Sequence, residues 1–408
     1  MPSTADPLDA ALAALGPAPL DDARLRAHVW PLFARVLARS AQRVYLANHS
    51  LGRPLDAMDA DVREGLAAWY ADLGGAWSAW MAEHDAHRAR LARLLGAARP
   101  GTVVPRTSAA QGLRAVLNSA DAPPRVVATR GEFDSLDVVL REYANRGRVR
   151  LDLVEPDGDG EFHAEAIVRA IVPGTGLVVL SQVMFQSGQV LPELGAIVAH
   201  AHRVGARVLL DVYHALGVLP VDVAALGVDF AVGGAYKYLR GGPGACFLYV
   251  APAVLDAGVR TLDIGWFAKE APFGYARPDP PRLAAGGDAW LESTPPVLTW
   301  YQARSGQRFT LGIGVARLRE HSLRQQRRLV DLLAERGIAG VGGTPERGAF
   351  VVVRRSDAGA VAEKLRGQGV DVDARGRFLR LCPDVLTADE ELVHAAGAVA
   401  AACGGACG

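Results

Sequence analysis

Between Pro100 and Val250 the sequence keeps one rhythm: short apolar runs separated by stretches with helical spacing. The runs are VVP at Val103, RVVAT at Val126, RVRLDLVE at Leu151, GLVVLSQV at Val178, ARVLLDVY at Leu209, DFAVGGAY at Phe230 and ACFLYV at Leu248. Runs this short, mostly with consecutive apolar positions, suit strands covered on both faces rather than strands with one wet side. Helices fit between several of them, for example from Glu193 to Val204. Strands alternating with such helices build a mainly parallel sheet with helices on both faces, the α/β class. A chain of 408 residues exceeds one small core, so this sheet accounts for only part of it.

The flanks read differently. Leu25, Val29, Leu32, Phe33, Val36 and Leu37 space a helix over 23–43, and Val44 to Ala47 reads as a short strand entering a turn closed by Gly52 and Pro54. Residues 58–99 are again helical, with Trp69, Leu73, Trp77 and Trp80 near one face as packing. Residues 266–297 are rich in Pro and Gly, and irregular segments of that length in a compact protein are usually functional. Beyond them 301–337 reads as helix, and FVVVR, VDVDARG and FLRLCP suggest a small α+β unit. The expected organisation is 1–60 as an N-terminal segment on the small domain, 61–265 as the large domain, 266–300 as an irregular interface and active-site segment, and 301–408 as the small C-terminal domain.

Charge and cysteine content exclude several function classes. The 44 basic and 44 acidic side chains cancel without long runs of either sign, which disfavours a nucleic-acid surface or a polybasic membrane patch. The first 20 residues contain Asp6 and Asp9 and lack the pattern of a secretory signal, and no stretch is long and apolar enough to span a bilayer. A cytoplasmic location is expected. Cys246 and Cys382 lie alone in apolar runs and read as buried small hydrophobes, while Cys403 and Cys407 sit in a tail, CGGACG, that looks frayed. No metal site is expected.

The chemistry concentrates in residues 206–250. Asp211 ends an apolar strand, so its carboxylate emerges at the carboxyl edge of the sheet, where α/β proteins bind ligands. His214 lies three residues on, and Lys237 follows the next apolar strand inside AYKYLRGGPG. A lysine amine, a carboxylate at a strand end and a glycine-rich turn are what pyridoxal 5′-phosphate (PLP) chemistry requires. The amine forms a Schiff base, and the carboxylate keeps the pyridine nitrogen protonated.

DVYHALG followed by DFAVGGAYKYLRGGPG resembles the Asp-x-x-His and Tyr-Lys-Tyr-Leu motifs of kynureninases, within the aminotransferase class V group of fold-type I PLP enzymes. The resemblance runs from YLANHSLGRP at Tyr45 to FLRLCP at Phe378. It implies the aspartate aminotransferase-like fold, a homodimer and a small amino-acid substrate. It implies Lys237 as the Schiff-base lysine, Asp211 as the pyridine partner, His214 as its neighbour, and Tyr236 as a phosphate contact that also transfers protons. Ser108 and Ala109 in RTSAAQGL fall where a helix N-terminus meets the phosphate. Phe133 in GEFDSL matches the aromatic that stacks on the cofactor, with Ser135 nearby, and Ser181 falls at a further cofactor contact. Trp266 in DIGWFAKE resembles a motif that reaches phosphate across the dimer interface, and Thr294 stands where kynureninases usually read Ser-Asn-Pro-Pro. Arg380 resembles the arginine that clamps the substrate α-carboxylate, and Asn48 and Ser50 lie on the substrate side.

Several positions depart from that pattern. Asn48, His49, Ser50, Leu51 and Gly52 replace Gly-Asn-Ser-Leu-Gly, and LGGAWSAW has no histidine where the family carries one near the substrate ring. The expected activity is hydrolysis of a side-chain carbon–carbon bond, as in kynurenine. The alternatives are transamination, epimerisation or lyase chemistry on another amino acid, and cysteine desulfuration would need a mobile thiol that Cys246 and Cys382 do not suggest. A non-catalytic regulator is disfavoured, because nothing resembles an attached DNA-binding motif.

Overall fold

The structure, a computed structural model, describes residues 6–404. A two-residue strand, β1 (Val44–Tyr45), precedes the main sheet. Each of the seven apolar runs then forms one strand: β2 (Val103–Arg106), β3 (Arg125–Thr129), β4 (Arg150–Val154), β5 (Thr175–Ser181), β6 (Arg207–Asp211), β7 (Phe230–Gly234) and β8 (Cys246–Val250). They lie side by side in the order β2-β8-β7-β6-β5-β3-β4. Only β8 runs antiparallel to its neighbours. Along β5, Val178 and Leu180 enter one core and Leu177 and Val179 the other, so both faces are covered, as a parallel sheet between helix layers demands.

The chain leaves β3 toward β4 on one side and leaves β5 toward β6 on the other. The β3–β5 boundary is therefore a topological switch point, with a crevice outside its carboxyl ends. Asp211 at the end of β6 is the register partner of Ser181 at the end of β5, which sets both side chains at that rim.

The second sheet comprises β9 (Gly340–Val341), β10 (Val351–Arg354), β12 (Asp373–Arg375) and β13 (Phe378–Leu381), antiparallel in the order β12-β13-β10-β9, while β11 (Val370–Asp371) stands outside it. Helices Val315–Ala334, Ala358–Gly367 and Asp389–Ala402 bury Leu329, Leu365 and Val399 in one core with Val351 and Leu379. β1 pairs in parallel with β11, and Ala47 bridges to Cys382, which ties the N-terminal segment to this unit.

Four local expectations change, one being 301–337, which is two helices, Leu298–Ile313 and Val315–Ala334, parted at Gly314 with φ 91°. Residues 58–99 are two helices, Ala57–Ala71 and Ala76–Leu95, because Asp72 accepts from Gly74 N–H (3.1 Å) and Gly74-Gly75 break the run. The tryptophans still pack across that break, Trp69 and Trp77 meeting Trp80 edge-on with ring centroids 5.9 and 5.3 Å away, while Leu73 is exposed. In the first helical segment Pro31 lacks an N–H, and the helix passes through a π turn (Leu25–Val29) and a 3-10 turn (Trp30–Phe33) before resuming at Ala34. Cys403 is not frayed, since it caps the last helix and is buried, while Cys407 lies outside the described residues. Among the described residues no helix is long and apolar enough to cross a membrane. No metal-ligating cluster is found among them either.

Candidate active site

Lys237 follows β7 and is 4% exposed, and its Nζ lies 2.6 Å from His214 Nε2. The turn reaches this position through two close approaches. A Cβ on Gly234 would fall 2.0 Å from the Tyr213 hydroxyl oxygen, and one on Gly52 would fall 1.9 Å from the Lys237 carbonyl oxygen. Only glycine allows the 48–52 turn to lie against the lysine backbone, where Gly52 N–H donates to Tyr236 O at 2.8 Å. Arg53 and Arg240, both buried, pair with Asp384 and fasten this turn to the C-terminal unit.

Burial pushes the Lys237 amine well below the ordinary lysine range, and the opposing charge of Asp211 only partly restores it. Burial likewise carries His214 well below its usual value, with the charges of Lys237 and Arg380 adding to the effect. His214 is therefore a neutral ring that faces the amine through Nε2, and its Nδ1 is buried with no protein partner. The Lys237 amine lies 5.2 Å from the Phe133 ring centroid, 4.9 Å from Tyr213 and 5.7 Å from Tyr236. Thus Lys237, His214, Tyr236 and Phe133 are brought together. Ser135 sits half-buried in the first turn of the helix that follows Phe133, Asp134–Asn145.

Asp211 accepts from Tyr213 N–H at 2.7 Å and is 4% exposed. Burial raises its carboxyl, against the Tyr213 bond and the Lys237 charge. Ser181 does not turn to Asp211 but donates to Glu132 at 2.6 Å, and Thr129 donates to the other Glu132 oxygen at 2.6 Å. Glu132 is buried and burial pushes it up to about 7, although both hydroxyl bonds pull it down. This acid was missed in the sequence, where GEF drew attention only to Phe133. Its signal was a charged residue three positions past the end of an apolar strand at the switch point.

Ser108 caps the helix Ala109–Leu117, accepting from Gln111 N–H at 3.1 Å, and Ala109 is buried behind it. A cavity of about 120 Å³ opens beside that helix start, lined among others by Arg106, Thr107, Gln111, Glu292 and Thr294. Trp266 donates through its indole N–H to Thr294 Oγ1 at 3.2 Å, so those two expected residues meet each other. His84 also lines this cavity, 4.9 Å from Trp300 ring to ring. No histidine stands within 69–80, and His84 is the histidine that lines this cavity together with Thr294.

At the other end, Asn48 donates to Cys382 O at 2.8 Å. Ser50 donates to Asp373 Oδ2, and His49 Nε2 bonds Asp373 Oδ1 at 2.8 Å. Arg380 gives Nε to Asp373 Oδ1 at 2.7 Å and Nη2 to Oδ2 at 2.6 Å, while Nη1 donates to Phe185 O. Burial alone would raise the Asp373 carboxyl, but bonds and charge from His49 and Arg380 hold it far below the carboxylate range. His49 is wholly buried, and burial with the Arg380 charge pushes it down to about 4.

The model of the aminotransferase class-V family matches residues 56–379. The chain is 31% identical to a kynureninase of Salinispora tropica over 83% of this chain and 84% of that protein. It is 28% identical to an uncharacterized aminotransferase of Bacillus subtilis over 85% of this chain and 91% of that one. Among solved structures, the cystine C–S lyase C-DES in complex with cysteine persulfide superposes with a TM-score of 0.80 at 20% identity, covering 89% of this chain and 99% of that one. A cysteine desulfurase from Thermococcus onnurineus gives 0.74 at 18% identity, with 88% and 94% covered. These two show the shared fold.

Proposed function

The chain belongs to the aminotransferase class-V family, and on that premise we propose that it is a kynureninase-like hydrolase acting on an amino acid with a γ-carbonyl. Its fold is fold type I and its cofactor is pyridoxal 5′-phosphate. When bound, that group withdraws electrons from the substrate carbons joined to it. The residues fit it. Lys237 is a buried amine of depressed basicity, Asp211 a buried carboxylate at a strand end, and Phe133 an aromatic ring facing the amine. The start of the Ala109–Leu117 helix has N–H groups that would meet the phosphate of the bound group.

In this reading Lys237 holds the cofactor and moves a proton at the substrate Cα, and neutral His214 orients the amine without competing for its proton. Tyr236, half-buried and 5.1 Å from the Tyr213 ring, moves a proton at Cβ. Water adds to the γ-carbonyl, the Cβ–Cγ bond breaks, and the products are a carboxylic acid and alanine. The observation that carries this choice of reaction is the similarity to kynureninases over more than four-fifths of the chain. Desulfuration is not supported by the thiols: burial pushes Cys246 up to about 11, and Cys382 is wholly buried with its thiol directed at Ala349 O.

The Bacillus subtilis relative supports a second reading, transamination. Incubation of the holoenzyme with kynurenine and 3-hydroxykynurenine separates the two. Equal amounts of an anthranilate and alanine are expected, with weaker turnover of 3-hydroxykynurenine. Formation of a keto acid without anthranilate would select transamination instead.

A further inference from the structure

Glu132 is a buried acid that the proposed chemistry leaves unused. It is 3% exposed, and both its oxygens are met by hydroxyls rather than by a cation. Thr129, at the end of β3, donates to Oε1, and Ser181, at the end of β5, donates to Oε2, both at 2.6 Å. These two strands pair in parallel and flank the switch point, so one carboxyl group ties the rim of the crevice from both sides. A tight turn brings the acid back over its own strand. A Cβ on Gly131 would fall 2.5 Å from Phe162 Cε2, and Gly131 N–H donates to Thr129 Oγ1 at 3.2 Å.

Each tied residue adjoins a part of the site. Phe133 follows Glu132 directly, with its ring 5.2 Å from the Lys237 amine and edge-on to Phe185 at 5.3 Å. Ser181 is the register partner of Asp211. Its one hydroxyl proton goes to Glu132, so toward any other group that oxygen is an acceptor. Burial and the like charge of Asp211 both disfavour ionisation of Glu132, so its value lies in two placed acceptor oxygens rather than in a fixed charge. We propose that Glu132 is a positioning residue for the cofactor ring: by tying Thr129 to Ser181 it holds Phe133 at the ring face and the Ser181–Asp211 rim at the ring nitrogen. This rests on the reading that Lys237, Phe133 and Asp211 hold that ring.

The test follows holoenzyme by the visible circular dichroism of the cofactor, per mole bound, and by the rate of cofactor release. Glu132→Ala is expected to lose most of that signal and to release cofactor about tenfold faster, because two buried hydroxyls lose their acceptor. Glu132→Gln accepts from one hydroxyl and donates to the other, so it is expected to restore the signal and release within about threefold of the parent. Thr129→Val keeps the size of a wholly buried side chain and removes one of the two bonds. It should move both readouts in the same direction as Glu132→Ala, and it decides alone should Glu132→Ala fail to fold. Unchanged signal and release in the deciding variant overturn the inference. A Gln variant as impaired as the Ala variant overturns it too, since charge rather than position would then be the cause. Phe133→Leu separates this inference from the reading beneath it. If that change leaves the signal untouched, the ring does not lie against Phe133 and the reading itself fails; if it moves the signal and Glu132→Ala does not, only the role of Glu132 falls.

Discussion

The two ends of the site handle charge in opposite ways. Around Lys237 the fold withholds partners: the amine meets a neutral imidazole and three aromatic rings, and the charge of Asp211, with a lesser one from Asp373, opposes the cost of burial only in part. Around Arg380 it supplies them in excess, and Asp373 is engaged by His49, Ser50 and Arg380 at once. Desolvation without pairing moves a group toward neutrality and makes it able to exchange a proton near neutral pH. Desolvation with full pairing fixes the charge and makes the group a strut. Burial alone therefore does not distinguish a reacting residue from a structural one. The partners do.

Removing the reacting amine is the strongest test of that contrast. Lys237→Ala should abolish covalent capture of the cofactor, read by borohydride reduction and mass spectrometry of the 231–240 region. A reduced adduct at the parent's stoichiometry would place the attachment on another residue. The fold should survive, because the lost contact is a single bond to His214.

The opposite end should behave as a strut. Asp373→Ala leaves Arg380 buried without its counter-charge, and breaking a buried pair by removing one partner costs about 3–5 kcal/mol. The urea midpoint should fall accordingly, and a further Arg380→Met change should recover a large part of the loss. If Asp373→Ala unfolds at the parent's midpoint, the pair is not the strut its geometry describes.

The sequence made the Lys237 end legible and left the Asp373 end hidden, for a physical reason. Asp211, His214 and Lys237 stand just past consecutive-type strands within one βαβ stretch, so strand pattern alone put them at one edge. The same pattern located all seven strands of the main sheet. Asp373 meets His49 across more than 300 positions of sequence, and only the β12–β13 register and the parallel β1–β11 pairing bring them together. VDVDARG was read as strand, and His49 only as a departure from a motif. That Asp373 meets this departure was not visible in a single sequence. Glu132 was missed for a different reason, since its neighbour Phe133 seemed a sufficient account of the GEF turn.

The gentlest test uses pH rather than mutation. Only the unprotonated amine attacks an aldehyde, and burial brings Lys237 from 10.5 down to about 7. The rate at which apoprotein captures pyridoxal phosphate should rise about tenfold from pH 6 to pH 8 and then level off. An unperturbed lysine would still be gaining about tenfold between pH 8 and pH 9. The sign for stability agrees: between about pH 7 and 10.5 the unfolded chain holds a proton on this lysine that the folded one does not, so this group's contribution to stability rises with pH there. Asp373 adds no titration to that window, because it stays ionised far below it. A capture rate still climbing at pH 9 would mean that Lys237 is paired as tightly as Arg380, and the contrast between the two ends would collapse.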